Sequence, residues 1–232
     1  MSADAERTLV TVERLGRRGD GLATRDGRPI AIPGALPGES VALGAGAVAP
    51  EILAPSPDRL PPTCPHASEC GGCALQHASD RLLAAWKRER IVEALAAKGL
   101  APEIAETQVS PPRTRRRVTF AAMRAKSGVR LGFHRARSHQ VVPILDCLVA
   151  RSEITAALPA LEALGRIAAP RKRAVAVSVT VSLDGLDVAV SAAKALDLPL
   201  REAAGAWAGT ADVARLAWNA ETVAERRPPR QR

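Results

Sequence analysis

The feature that most constrains this chain is its cysteine arrangement. Three of the four cysteines fall in one short run, Cys64-Pro-His-Ala-Ser-Glu-Cys70-Gly-Gly-Cys73, and the fourth, Cys147, stands far downstream. Thiolates are soft ligands, and four of them match the number that zinc or an iron–sulfur cube requires. Gly71 and Gly72 fit that reading, because a loop that turns two thiols towards one centre needs residues without a Cβ. A disulfide framework is the competing reading. It is disfavoured because a chain of this length can bury a core without staples, and because its first residues do not read as a secretory leader. Buried unliganded thiols would not explain three cysteines around a glycine pair. Structural zinc sites usually pair two short knuckles, whereas here one compact triplet is closed by a remote cysteine. The asymmetry leans towards a 4Fe-4S cluster and leaves zinc as the alternative. His66 and His77 lie close enough in sequence to substitute for a thiol.

Charge supplies the second constraint. The formal net charge is +9, and the stretch between Thr107 and Leu145 contains no acidic residue. Within it lie Arg113, Arg115, Arg116, Arg117, Arg124, Lys126, Arg130, Arg135 and Arg137, which together equal the whole excess. Such a single-sign field repels itself unless a polyanion neutralises it, so these residues are the candidate phosphate contacts. A solvated Arg-rich surface is the bland alternative. With two Phe, three Trp and no Tyr, a surface built mainly on base stacking is not expected. No run of apolar residues is long enough to cross a membrane, and a cytoplasmic location is expected.

Taken in order, residues 1–7 read as disordered. From Thr8 to Leu43, short apolar alternations are broken by Gly16, Gly19, Gly21 and the Pro37-Gly38 pair, the pattern of a small barrel or sandwich. Gly44-Ala-Gly46 reads as a loop. Ser79 or Asp80 can cap a helix to about Ala97, ended by Gly99. Its apolar residues form two arcs, Leu82, Leu83 and Trp86 on one side and Ile91, Val92 and Leu95 on nearly the other, so it should touch two bodies. Strands over Arg116–Met123 and Val129–Arg135 form a hairpin. Val129, Leu131, Phe133 and Arg135 share one face and Arg130, Gly132 and His134 the other, so that one face can pack while the other offers charge. Neither His134 nor His139 has a carboxylate at motif spacing, so acid–base work is not assigned to them. A helix over Ser152–Arg166 precedes a strictly alternating valine hairpin turning at Asp184-Gly185, expected as type I′. A helix near Leu198–Trp207 and a strand near Val213–Trp218 follow. The basic, proline-broken end from Glu225 reads as an interdomain junction.

The residues from Ser56 through Cys64, Cys70 and Cys73 to His77, with Trp86-Lys-Arg-Glu-Arg-Ile91, resemble the iron–sulfur RNA uracil-C5 methyltransferases. Gly132-Phe-His-Arg-Ala-Arg-Ser-His139, running through Val142-Pro-Ile144 to Cys147, resembles the same family in the same order. The resemblance implies that Cys64, Cys70, Cys73 and Cys147 ligate a 4Fe-4S cluster. It also implies that residues 1–57 are an RNA-binding TRAM barrel, where Arg14, Arg17, Arg18, Arg25 and Arg28 would meet phosphate. Members of the family use S-adenosylmethionine, a nucleophilic Cys and a Glu base. None of these can be assigned here, since the thiols are spoken for and no glycine-rich strand-to-helix turn is evident.

The expectation is therefore an α+β protein. A small OB-like β-barrel (1–57) is followed by a cysteine loop (58–78), a bridging helix (79–99) and an α/β domain of antiparallel hairpins and helices holding a metal cluster (100–232), with no doubly wound catalytic domain. Its expected role is the RNA-recognition portion of an S-adenosylmethionine-dependent RNA uracil-C5 methyltransferase, inactive alone, with no catalytic or cofactor-binding residue of its own. Expected partners are structured RNA, ribosomal above all, with no membrane, no DNA and a monomeric state. A non-catalytic RNA-binding protein with a zinc or iron–sulfur staple is the rival. A redox module is weaker, having no use for the basic stretch.

Overall fold

The computed structural model describes residues 7–44, 50–126 and 128–230; the expectations for residues 1–6 and for Ala45-Gly46 fall outside them. The chain divides into two units, Met1–Pro65 with Cys73–Val109, and His66–Gly72 with Ser110–Arg232.

The first unit begins with two three-stranded sheets. Strands β1 (Thr8–Thr11), β5 (Ser40–Leu43) and β6 (Glu51–Ala54) form one, in the order β1-β5-β6. Strands β2 (Arg14–Leu15), β3 (Gly21–Arg25) and β4 (Arg28–Ile32) form the other. The expected barrel is thus corrected: among the described residues the strands pair as two separate sheets and do not close into one ladder. Strand β2 is two residues long and pairs only with β3, which leaves nothing to continue the ladder towards β1. Val10, Val12, Ala23, Ile32, Ala35 and Val41 make one buried cluster. Gly21 is required there, since a Cβ would stand 2.8 Å from the Ala35 carbonyl. The β3–β4 connection is the two-residue loop Asp26-Gly27, with φ of 49° and 72°, and Arg25 pairs with Arg28 across it. Two successive positive φ values define a type I′ turn, which follows strand twist.

Helix α1 (Asp80–Ala96) is capped by Ser79, whose hydroxyl accepts from the Leu82 N–H, and is stopped by Gly99 at φ 72°. Its two apolar arcs have different fates. Leu82, Leu83 and Trp86 pack with Leu15, Leu36 and Ala78, and the Trp86 indole donates to the Gly16 carbonyl at 3.2 Å. Ile91 and Val92 remain 50% and 41% exposed, so only one arc finds a partner within this unit.

The second unit is a seven-stranded sheet in the order β13-β12-β11-β10-β7-β8-β9. The central strands are β7 (Arg117–Ala125), β8 (Gly128–His134), β9 (Val141–Pro143), β10 (Val175–Ser182) and β11 (Gly185–Ser191). Strands β12 (Arg215–Trp218) and β13 (Glu221–Glu225) complete it. The expectation of antiparallel hairpins alone is corrected too. Strands β11 and β12 run parallel, because α4 (Leu198–Thr210) carries the chain between them, and the sheet is mixed.

The expected single helix after Ser152 is two, α2 (Ser152–Ala156) and α3 (Leu158–Ala168). Pro159 lies in the first turn of α3, where its missing N–H costs nothing but the preceding helix cannot continue through it. Phe120, Leu131, Val177, Val188, Leu216 and Trp218 meet Leu161, Leu164 and Trp207 in one core. Gly165 lets α3 come close to the sheet, since a Cβ there would lie 3.0 Å from that of Ala122. The alternate residues Arg117, Thr119 and Arg130 are exposed, so the strands present a polar face opposite the core. The valine hairpin turns differently from expectation. Ser182 pairs with Gly185, and of the turn residues only Gly185, at 123°, has positive φ, so it is not a type I′ turn. The Ser182 hydroxyl accepts from the Asp184 N–H and donates to the Gly185 carbonyl, holding the alternative conformation.

Candidate functional site

All four thiols are half-buried and none is in a disulfide. In the first unit, Cys64 lies in a bend and Cys73 in irregular chain. In the second, Cys70 forms an isolated antiparallel bridge with Arg135, and its sulfur accepts from the Gly72 N–H at 3.4 Å. Cys147 packs against the large core, and its N–H donates to the Asp146 carboxylate at 2.8 Å.

Two ties join segment 66–72 to the basic hairpin of the same unit, and a third joins it to the chain just after β9. The Gly71 N–H donates to the His134 carbonyl at 2.9 Å, Arg135 reaches Glu69 at 2.6 Å, and the Leu145 N–H donates to His66 Nε2 at 3.3 Å. His77 belongs to the first unit. Its Nε2 is buried without a hydrogen-bond partner, and burial followed by the Arg59 charge pushes its pKa down. Among the described residues, no three His, Cys, Asp or Glu side chains are gathered into a group that would hold a metal ion.

The nine basic residues of the acid-free stretch are all exposed, but they are not equivalent. Arg113 makes a two-pronged pair with Asp146 at 3.0 and 2.6 Å, which holds that carboxyl below the usual carboxylate range. Arg117 donates to the Thr180 hydroxyl, and Arg124 to the carbonyls of Ala169 and Arg166, both at 2.8 Å. These side chains hold the fold. Among the described residues, Arg115, Arg116, Lys126 and Arg130 have no side-chain hydrogen bond or ion pair, and they are the cations available to a polyanion. Phe133 is a core residue, its ring 5.1 Å from that of Phe120.

One feature escaped the sequence reading. The loop His134–His139 and Gly71 line a cavity of about 450 Å³. The signal was present as two histidines flanking Arg135 and Arg137, but it carries no chemistry until Gly71 closes against the loop.

No family model matches the chain. Among curated proteins it is 38% identical over 223 residues to an uncharacterized RNA methyltransferase of Brucella suis biovar 1, covering 95% of this chain and 54% of that protein. It is 40% identical over 234 residues to an uncharacterized RNA methyltransferase of Caulobacter vibrioides, covering 95% and 56%. The chain resembles RNA methyltransferases along nearly its whole length. A 23S rRNA (uracil(1939)-C(5))-methyltransferase of Dichelobacter nodosus is 36% identical over 174 residues, 70% of this chain and 41% of that one. Among solved structures, the tRNA (uracil-54, C5)-methyltransferase of Pyrococcus abyssi, in complex with S-adenosyl-L-homocysteine, matches 90% of this chain and 50% of its own with a TM-score of 0.60 at 19% identity, a likeness of fold.

These likenesses correct the expectation of an inactive recognition portion without the catalytic fold. The match to methyltransferases runs over 95% of the chain in sequence and 90% in structure, and gives that absence no support. The chain spans about half the length of the curated relatives it matches. No helix among the described residues is long and apolar enough to cross a membrane.

Proposed function

We propose that the protein carrying this chain is an S-adenosylmethionine-dependent RNA uracil-C5 methyltransferase acting on ribosomal RNA, and that this chain engages the RNA. The observation that carries the RNA reading is the unpaired set Arg115, Arg116, Lys126 and Arg130 within an acid-free stretch, while neighbouring arginines are consumed by the fold. Likeness to a 23S rRNA uracil-C5 methyltransferase over 70% of the chain favours ribosomal RNA and the C5 position. The five arginines of the first unit, Arg14, Arg17, Arg18, Arg25 and Arg28, are separate candidate phosphate contacts in this reading.

S-adenosylmethionine supplies an activated methyl group when bound. The loop between β11 and α4, Ala192–Asp197, contains no glycine and is closed by its own contacts, with Trp218 and Asn219 bonded to Lys194 and Ala193. That loop does not fit a nucleotide cofactor, and no step is assigned to it.

The thiols Cys64, Cys70, Cys73 and Cys147 are the proposed donors to a 4Fe-4S cluster, with zinc as the alternative occupant. Their number and softness support this. Bound metal would fix the position of the Cys147 segment relative to the cysteine run. By analogy with a long disulfide loop, that restraint would contribute on the order of 4 kcal/mol. The RNA reading is tested by mapping 5-methyluridine in ribosomal RNA from cells with and without the gene. Loss of one 5-methyluridine on deletion supports it, and an unchanged map contradicts it.

A further inference from the structure

We propose that the cavity formed by Gly71 and the loop His134–His139 is a pocket for one unstacked nucleotide of single-stranded RNA, with the base against an imidazole; the proposal rests on the RNA reading above. The cavity, about 450 Å³, is within the size range of small-ligand sites. Its lining includes His134 and His139, whose imidazoles stand 6.3 Å apart between centroids and are inclined at 85°. His134 is held by an Nδ1 contact of 3.2 Å to the His139 carbonyl, so the orientation is built into the loop.

The loop itself is fixed. Arg135 N–H donates to the Gln140 carbonyl at 2.8 Å, Ser138 N–H to the Arg135 carbonyl at 3.1 Å, and Arg137 sits at φ 55°. Gly71 supplies a floor that no other residue could, since a Cβ there would stand 2.8 Å from both the Ala136 nitrogen and the His134 carbonyl. Glu69 pairs with Arg135 of the loop at 2.6 Å, which neutralises that carboxylate.

RNA-binding proteins that read single strands splay bases out and stack them on aromatic rings or guanidinium planes. Phe120 and Phe133 are spent on the core, and Trp207 and Trp218 are buried, so in this unit the histidines are the exposed rings that remain. Duplex RNA offers no free base faces and should not use the pocket.

The test measures fluorescence anisotropy of a short unstructured RNA and of a duplex of equal length, across a salt series, on the full chain. Its variants are H134A/H139A and H134F/H139F, with thermal melts to confirm folding. The alanine pair should weaken single-strand binding by about five- to a hundredfold, the range that base–aromatic stacking spans. Duplex affinity and the salt slope should be unchanged, and the phenylalanine pair should recover most of the loss. Unchanged single-strand affinity in the alanine pair, with wild-type salt dependence intact, overturns the pocket and leaves the RNA reading standing. Equal loss on both RNAs, or no recovery with phenylalanine, also overturns it. A wild-type chain that binds neither RNA removes both readings.

Discussion

The backbone N–H of Gly71 donates to the carbonyl of His134 at 2.9 Å, which locks the segment carrying Cys70 onto the end of strand β8. This contact is close because Gly71 has no side chain: a Cβ would lie 2.8 Å from the His134 carbonyl and 2.8 Å from the Ala136 nitrogen, both backbone atoms. Gly71→Ala is expected to destabilise the second unit by about 1–3 kcal/mol, the usual range for overpacking. Hydrogen exchange should speed up first in residues 66–72 and 134–140. Unchanged exchange there would show that the segment is held some other way.

In the first unit, Glu39 is fully buried. Burial alone would raise its pKa, but Arg59, at 2.5 and 2.8 Å, and the N–H groups of Leu36 and Ser56 outweigh burial and lower it. A folded pKa below the unfolded one means that this stabilisation is complete above the ordinary carboxylate range and is lost as pH falls through the folded value. Glu39→Gln should cost about 3 kcal/mol at neutral pH, as expected when one partner of a buried pair is removed. It should also flatten the acid limb of a plot of Tm against pH. An acid limb identical to wild type would mean that other carboxylates control it.

Arg115 and Arg116 test the division of the basic stretch into binding and structural cations. Replacing both with alanine should leave stability within about 0.5 kcal/mol. The slope of log affinity against log salt should fall by about 1.4–1.8, two phosphate contacts' worth. Arg124→Ala should act oppositely. It loses two hydrogen bonds to carbonyls at 2.8 Å, and should lower stability by about 1–3 kcal/mol with little change in slope. A salt slope unmoved by the Arg115 and Arg116 pair would place the RNA elsewhere.

The thiol proposal has a chemical readout. Protein purified without oxygen should carry iron and acid-labile sulfide in equal amounts, and Cys147→Ser should lose both. Zinc without sulfide would replace the cluster with the alternative occupant, and no metal of either kind would remove the proposal.

Most strands and helices could be read from the sequence because each rests on local pattern. The valine alternation from Val175 to Val190 gives β10 and β11 directly, and Ser79 and Gly99 bracket α1. The two arcs of α1 were also legible, and they end as one packed side and one exposed side. Features that depend on distant partners were not. The parallel pairing of β12 with β11 is decided by where α4 packs, and the division of the N-terminal strands into two sheets by the shortness of β2. Two Asp-Gly pairs show the limit of turn chemistry. Asp26-Gly27 makes the type I′ turn, while at Asp184-Gly185 the Ser182 hydroxyl and the Arg230 guanidinium on Asp184 hold another conformation. In the candidate site, the thiols and the basic run were plain from spacing and charge. Which arginines are consumed by the fold was not, because Asp146, Thr180 and the Ala169 carbonyl are remote in sequence or silent in composition.

The most direct test is methyl transfer by the whole protein that carries this chain. The purified protein is supplied with S-adenosylmethionine labelled in its methyl group and with ribosomal RNA from cells lacking the gene. Label recovered in 5-methyluridine at a single site is the expected result. Label at another base or ring position, or no transfer to RNA from a folded and metal-replete protein, would contradict uracil-C5 methylation as its function.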